Sequence, residues 1–353
     1  MTRLRAHEQA EQPVRPEGVD EAAVVTVLRV PPECSGMRID RFVQSQLKRT
    51  SRTKAQAIIL VSAYGSEGKR LAPGDRVQAE QRIFLWRPPW DDEPAEGTLP
   101  ILYEDEALLA IDKPAMIPVH PTARYYRSTV TKMLEAARPD ERFFLAHRLD
   151  RETTGVLLLS RTSEADRHVK KQFAGLDPKT GKPSPRRFVD KTYVAIAHGW
   201  PEVDDFRVDL PLEEDTSNPI RVKMRVAKPG EGLASSTACR ALGRRVDPET
   251  GRRYALVRCD LETGRQHQIR VHLAASGLPL VGDKLYGEDD RMHARGSDGE
   301  LTEEDMRRLL LPRQALHAQA LELDHPSEEG RRVRFEAPLA EDLRAFWDAL
   351  SSP

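Results

Sequence analysis

The chain has 353 residues, 31% of them charged and 39% apolar, which suffices for two domains with a sizeable core. No apolar run approaches the roughly 20 residues that cross a bilayer, and MTRLRAHEQAEQ lacks the apolar centre of a signal peptide. The sequence therefore reads as a cytoplasmic protein, and its three widely spaced cysteines (Cys34, Cys239 and Cys259) as reduced thiols, not a disulfide frame or zinc site. The net charge of −1 argues mildly against a nucleic-acid partner, but it conceals an uneven distribution: residues 24–90 carry twelve Lys/Arg against five Asp/Glu.

Residues 1–23 are polar, with almost no large apolar side chain, and are expected to form a disordered tail. Val24 to Val30 reads as a β-branched strand. A helical pattern follows with Ile39, Phe42, Val43 and Leu47 on one side. Ser51 is placed to cap a second helix whose apolar face is Ala55, Ile58 and Ile59. Gly65, Gly68, Pro73 and Gly74 punctuate two short strands, the second around Arg76-Val77-Gln78. Met37-Arg38-Ile39-Asp40-Arg41-Phe42, Ser51-Arg52-Thr53-Lys54-Ala55-Gln56 and Leu71 to Val77 together resemble the RNA-binding module of the small ribosomal-subunit protein S-four type. Ala63 to Gly68 departs from that module's usual valine-asparagine-glycine turn. The resemblance implies a small α/β domain over 24–90 in which Arg38, Arg41, Arg52 and Lys54 meet RNA phosphates. Such contacts add affinity without sequence information. Read from charge alone, the same side chains are an ordinary solvated face.

Residues 91–98 are acidic and contain proline and glycine, as a linker would. The larger domain is expected over 99–353. Ile101-Leu102-Tyr103 and Leu108 to Ile111 read as strands joined by an acidic turn, and Ser128 to Ala137 as a helix. His147-Arg148-Leu149-Asp150-Arg151-Glu152-Thr153-Thr154-Gly155 then sets a carboxylate between two arginines ahead of the apolar run Val156 to Leu159, a buried-strand pattern. Neighbouring positive charge keeps such a carboxylate ionised. On residue types alone Asp150 is either a nucleophile or base, or one half of a structural ion pair. A helix over Ser163 to Ala174 and strands over Lys191 to Ala197 and Tyr254 to Leu261 follow. Gln266 to Ser276 reads as a helix closed by Gly277, with His267 and Arg270 on one face and Ile269 and Leu273 toward the core. Gly175 to Arg187, basic, and 288–305, acidic, look like surface insertions. Strands and helices do not repeat as βαβ units, so the expected fold is α+β, with a mixed, largely antiparallel central sheet and flanking helices.

Ile111-Asp112-Lys113-Pro114 with Pro118-Val119-His120-Pro121, HRLDRETTG at 147–155, Lys191-Thr192-Tyr193-Val194-Ala195, Gly264 to Leu273 and Gly282-Asp283-Lys284-Leu285-Tyr286-Gly287 occur in that order. Together they resemble the motifs of the RluA family of pseudouridine synthases. The resemblance implies that Asp150 is the nucleophile, that Arg270 pairs with it, and that Tyr193 lies against the target uracil. It also implies that Arg148 fills the gap left by an extruded base. Arg151, Arg265 and His267 are expected at the RNA, His267 alternatively as a structural imidazole and Tyr193 as a core side chain. The reaction breaks the bond from uracil to ribose carbon 1′, turns the ring, and rebonds carbon 5 to the same ribose carbon. It requires no metal, redox cofactor or nucleotide triphosphate. RNA is the implied partner of a monomer: ribosomal RNA, because of the N-terminal module, with transfer RNA or a non-catalytic role in ribosome assembly as alternatives.

Other readings of the same residues are weaker. His147-Arg148-Leu149-Asp150 suggests a kinase catalytic loop, but no glycine-rich loop, strand lysine motif or D-F-G accompanies it. His267 and His272 are five apart, a spacing that suits neither helix nor strand for joint metal coordination. A glycosidase would need a second carboxylate, for which only Glu152 is near.

Overall fold

The computed structural model describes residues 14–353 apart from 22, 48–49, 89–91, 94, 96 and 123–124, so most of the expected tail and part of the expected linker lie outside it. It comprises two units, Met1–Asp92 and Glu93–Pro353.

In the first unit the elements are β1 (Val24–Arg29), α1 (Ile39–Gln46), α2 (Arg52–Ser62), β2 (Ala63–Tyr64) and β3 (Arg82–Arg87). Ser51 caps α2, its hydroxyl accepting from the Lys54 amide at 3.2 Å. The sheet order β1-β3-β2 puts β3 in the middle, antiparallel to both neighbours. The sequence reading missed this strand. Ile83 and Leu85 join the helical core with Ile39, Phe42 and Ile59, while Phe84 and Trp86 pack with Tyr64 on the other face. A strand buried on both faces shows no alternation to read. The strand expected around Arg76 is instead a single bridge, Arg38 to Arg76.

The second unit is built on a ten-stranded sheet. Its elements begin β4 (Ile101–Glu104), β5 (Leu108–Lys113), α3 (Val130–Ala137), β6 (Phe144–Leu145), β7 (Thr154–Ser160) and α4 (Ser163–Phe173). There follow β8 (Val189–His198), β9 (Asp205–Val208), β10 (Leu212–Glu214), β11 (Met224–Val226), β12 (Thr237–Val246), β13 (Arg253–Leu261) and α5 (Gln268–Ala275). The chain ends with α6 (Arg291–Asp298), α7 (Glu303–Leu309), β14 (Leu316–Asp324), β15 (Arg332–Glu336) and α8 (Glu341–Asp348). The path of the sheet is β4-β5-β7-β14-β8-β13-β12-β9, with β6 beside β7 and β15 beside β14. Among the described residues β7 with β14 is the one parallel pairing, so the fold is α+β with a mixed, mainly antiparallel sheet. The apolar run that opens β7 is buried on both faces: Val156 and Leu158 pack with Ala165 and Val169 of α4, Leu157 and Leu159 with Val130 and Leu134 of α3.

The parallel pairing depends on Gly155. Its φ is +104°, and a Cβ there would lie 2.2 Å from the Ala318 carbonyl oxygen, so no other residue fits. The 288–305 stretch is an ordered two-helix segment, not a loose excursion. Thr302 and Asp305 form a capping box on α7, Arg295 bridges Asp305 at 2.6 Å, and Met292 and Leu309 are buried. The basic loop at 175–187 is largely neutralised internally, Lys179 by Glu329, Arg186 by Asp324 at 2.8 Å and Arg187 by Asp190 at 2.9 Å.

Candidate active site

Asp150 ends the loop that feeds β7. The Thr153 amide donates to its carbonyl at 3.1 Å, and Lys113, fully buried, donates to the carbonyls of Pro114, Ile117 and Arg151 at 2.7, 2.8 and 3.1 Å. One ammonium thereby fixes the loops on either side of the carboxylate. Burial, then the charge of Arg313, lowers the Lys113 pKa to about 7.

The Asp150 carboxylate, 34% exposed, lines a cavity of about 630 Å³ shared with Tyr193, Arg270, His267, Arg148 and Lys191. Arg270 Nη1 donates to Asp150 Oδ2 at 3.1 Å, Gln314 Nε2 donates to the same oxygen at 3.3 Å, and His267 Nε2 lies 3.7 Å away. Burial works to raise the Asp150 pKa. The charge of Arg270 and the hydrogen bonds from Gln314 and Arg270 outweigh it and hold the group below the usual carboxylate range. The acid is therefore ionised.

Arg270 does not float. Its Nε and Nη2 form a bidentate pair with buried Asp283 at 2.7 and 2.8 Å, and Asp283 in turn accepts from the amides of Leu285 and Tyr286 at 2.9 and 3.0 Å. Against the cost of burial, the charges of Asp283 and Asp150 keep Arg270 firmly protonated. The guanidinium also lies 5.0 Å from the Tyr286 ring centroid.

The expected helix start is displaced. α5 begins at Gln268, and His267 precedes it as N-cap in the left-handed region, φ +54°. That conformation still brings His267 and Arg270 to the same carboxylate. The Met224 amide donates to the Tyr286 hydroxyl at 2.8 Å, and that hydroxyl lies 2.8 Å from His267 Nδ1. The Asp150 carboxylate 3.7 Å from Nε2 favours the tautomer with its hydrogen there, and Nδ1 then accepts from the phenol. Burial, then Arg270, lowers the His267 pKa to about 4, so the imidazole is neutral. His272 points elsewhere, to Thr237 Oγ1 and the Leu210 carbonyl at 2.9 and 3.0 Å.

Tyr193, on β8, has its phenol pKa raised by burial and by the Asp150 charge, so it stays protonated. His147 is structural: its Nε2 accepts from the Leu158 amide at 3.0 Å and its ring stacks on Phe173 at 5.0 Å. Exposed Arg148 and Arg265 line the same cavity; Arg148 lies 3.3 Å from His120 Nε2, and Arg265 donates to the Ala234 carbonyl at 3.2 Å. Arg151, also at the cavity, bonds the Tyr125 hydroxyl and covers its ring at 5.2 Å. Of the residues singled out in the first unit, Arg38 and Arg52 converge on fully buried Asp40 at 3.0 and 3.1 Å, whereas Arg41 and Lys54 are exposed. Sequence reasoning missed Asp283, Gln314, Tyr286 and Lys191 as parts of the site. Asp283 and Tyr286 stood in a noted motif, Lys191 beside Tyr193, and Gln314 carried no signal. Among the described residues one group, Asp105, His325 and Glu328, has metal-ligand spacing, but His325 is already paired with Asp105 at 2.7 Å.

Comparison with known proteins gives the same answer from a different direction. Residues 107–275 match the family model of RNA pseudouridylate synthase. A Pseudomonas aeruginosa protein called ribosomal large subunit pseudouridine synthase D is 34% identical over 325 residues, 89% of this chain and 92% of its own length. The chain belongs to the RNA pseudouridylate synthase family. Another pseudouridine synthase, ribosomal large subunit pseudouridine synthase C of Escherichia coli, is 30% identical over 92% of this chain and 96% of its own. That coverage leaves too few residues outside the match to omit the N-terminal unit. Among solved structures, human RNA pseudouridylate synthase domain containing 4 shares the fold with a TM-score of 0.52 and 25% identity over 72% of this chain and 94% of its own.

As a pseudouridine synthase the chain is an isomerase, and what its cavity must supply is modest. The uridine has to leave its stack, at a cost of about a few kcal/mol, and enter a closed pocket. The cavity holds an ionised carboxylate, a neutral phenol and a fixed guanidinium.

Proposed function

We propose that this pseudouridine synthase acts on large-subunit ribosomal RNA in the cytoplasm, as a monomer, with Asp150 as its nucleophile. The observation that carries the assignment of Asp150 is its reach into the cavity with Arg270 Nη1 at 3.1 Å. Arg270 is read as the partner that keeps Asp150 charged and aimed. Tyr193 is read as the surface on which the uracil rests and, through its hydroxyl, as a donor for proton movement. Arg148, exposed at the cavity, is suited to take the place of the extruded base, since a planar cation stacks and binds phosphate together. Arg151, Arg265 and His267 complete the RNA-facing rim. The choice of ribosomal RNA is supported by the names borne by the Pseudomonas and Escherichia relatives and by the N-terminal unit that falls within their match. In that unit Arg41 and Lys54 are the readiest phosphate contacts, with Arg38 and Arg52 sharing their charge with Asp40.

The test is conversion of unmodified total RNA, ribosomal and transfer RNA together, by the purified chain, with pseudouridine mapped chemically. New marks confined to the large-subunit RNA are expected. Asp150→Ala should lower conversion by roughly 10⁴-fold or more, the scale on which a lost nucleophile shows, while RNA binding stays within about threefold. Marks appearing in transfer RNA alone would overturn the substrate. Equal loss of binding and conversion would overturn the role of Asp150.

A further inference from the structure

Lys191 has no task in the chemistry above, and its surroundings are unusual for a lysine. It lies two residues before Tyr193 on β8, so the two side chains share a face of the strand, and both line the cavity. Its ammonium lies 4.7 Å from the Phe173 ring centroid. Among the described residues it has neither a carboxylate nor a hydrogen-bond acceptor as partner. An ammonium carries three donors, and on half-buried Lys191 at the cavity wall they are open to a ligand that enters. Gly264 makes the room for it: a Cβ there would come within 2.9 Å of Nζ, although the Gly264 backbone does not require glycine.

The local field points to what is missing. The charge that bears on Lys191 is that of Arg187, of the same sign, whereas the charge that bears on Tyr193 is that of Asp150. The two side chains share a strand face but answer to different charges. Burial, then Arg187, lowers the Lys191 pKa to about 8, so it is still mostly charged at neutral pH. Arg187 is itself answered by Asp190 at 2.9 Å, which leaves Lys191 without an anion of its own; a phosphate would supply one, and a uracil carbonyl only a partial charge.

We propose that Lys191, framed by Phe173 and Gly264, is a phosphate-binding point inside the cavity that holds the RNA backbone next to the extruded uridine. This rests on reading the cavity as the place where the uridine lodges. Held there, the strand is anchored on the wall of the same cavity in which its base is presented to Asp150.

The experiment uses the full-length enzyme and total RNA from a strain lacking its gene, which carries the target unmodified whichever RNA class contains it. Wild type, Lys191→Arg and Lys191→Met are compared for kcat and KM at the converted site across a salt series. Lys191→Met is expected to raise KM about tenfold with kcat within about twofold. The slope of log KM against log salt should shrink by about 0.7–0.9, the loss of one phosphate contact. Lys191→Arg, which keeps the charge, should retain most of the wild-type KM and the full slope. An unchanged KM and slope in Lys191→Met would overturn the proposal. So would a fall in kcat at constant KM and slope, which would put the ammonium on the base. Conversion in the wild-type arm at a transfer-RNA position would count against the ribosomal target alone and leave this comparison intact. Absence of conversion in the wild-type arm would count against the cavity reading itself.

Discussion

At the scale of single residues, the site is a carboxylate whose charge and direction are set by a guanidinium that is itself held. Arg270 spends Nε and Nη2 on Asp283 and has Nη1 left for Asp150. Asp283→Asn keeps the shape but removes the buried counter-charge. The expected result is a fall in kcat of roughly 10²-fold, on the scale of losing one oriented transition-state donor. Urea unfolding should also register a loss of about 3–5 kcal/mol, as when one partner of a buried pair is removed. An unaltered kcat at saturating RNA would show that Arg270 finds Asp150 without help. Asp150 and Arg270 were expected as a pair because each lies in a motif that resembles the RluA family's, and the structure brings them together at 3.1 Å. The clamp on Arg270 was not, since nothing in Gly282 to Gly287 states which cation its aspartate faces.

At the scale of elements, close approach decides what the sequence must contain. Gly155 lets β7 and β14 meet in parallel, and Gly155→Ala combines a left-handed φ with a Cβ placed 2.2 Å from a carbonyl oxygen. A loss of roughly 3 kcal/mol or more is expected, seen as a lower urea midpoint with an unchanged m value. A second element-scale prediction concerns the hairpin β10–β11, whose pairing covers only Leu212–Glu214 against Met224–Val226. Asp290, at the start of α6, receives Lys223 Nζ at 2.6 Å and Asn218 Nδ2 at 2.8 Å from the loop of that hairpin. Asp290→Ala should raise hydrogen exchange at the hairpin amides, that of Met224 among them, while β8 stays protected. The acidic segment was readable as acidic, yet its bracing of the hairpin depends on residues some seventy positions away.

For the whole molecule, acid stability follows from three histidines kept neutral. His147 is lowered to about 3 and His267 and His317 to about 4, in each case chiefly by burial. Unfolded, each takes up a proton near its ordinary pKa of about 6.5. Between about pH 6.5 and 3 the unfolded chain therefore binds more protons than the folded one, and stability falls as pH falls through that window. His147→Gln should flatten the acid limb of a Tm-versus-pH curve. A limb as steep as wild type would remove His147 from the account. The two-unit organisation predicts in addition that a chain beginning at Glu93 folds and isomerises but binds RNA more weakly, with a shallower salt dependence than the full chain.

Chain order and local chemistry were enough for the fold class and for marking Asp150 as either a nucleophile or half of an ion pair. Its guanidinium partner and the tyrosine came from the resemblance of their motifs to the RluA family, since no local pattern states which distant residue each one meets. The folded molecule alone decided the rest. It buried β3 on both faces and so erased its periodicity, turned His267 out of the helix into the left-handed region, and recruited Gln314 to the carboxylate from 164 positions away. It also left Lys191 at the cavity wall without a carboxylate partner among the described residues. Such facts depend on which distant surfaces meet, and burial and pairing energies have no meaning until they do.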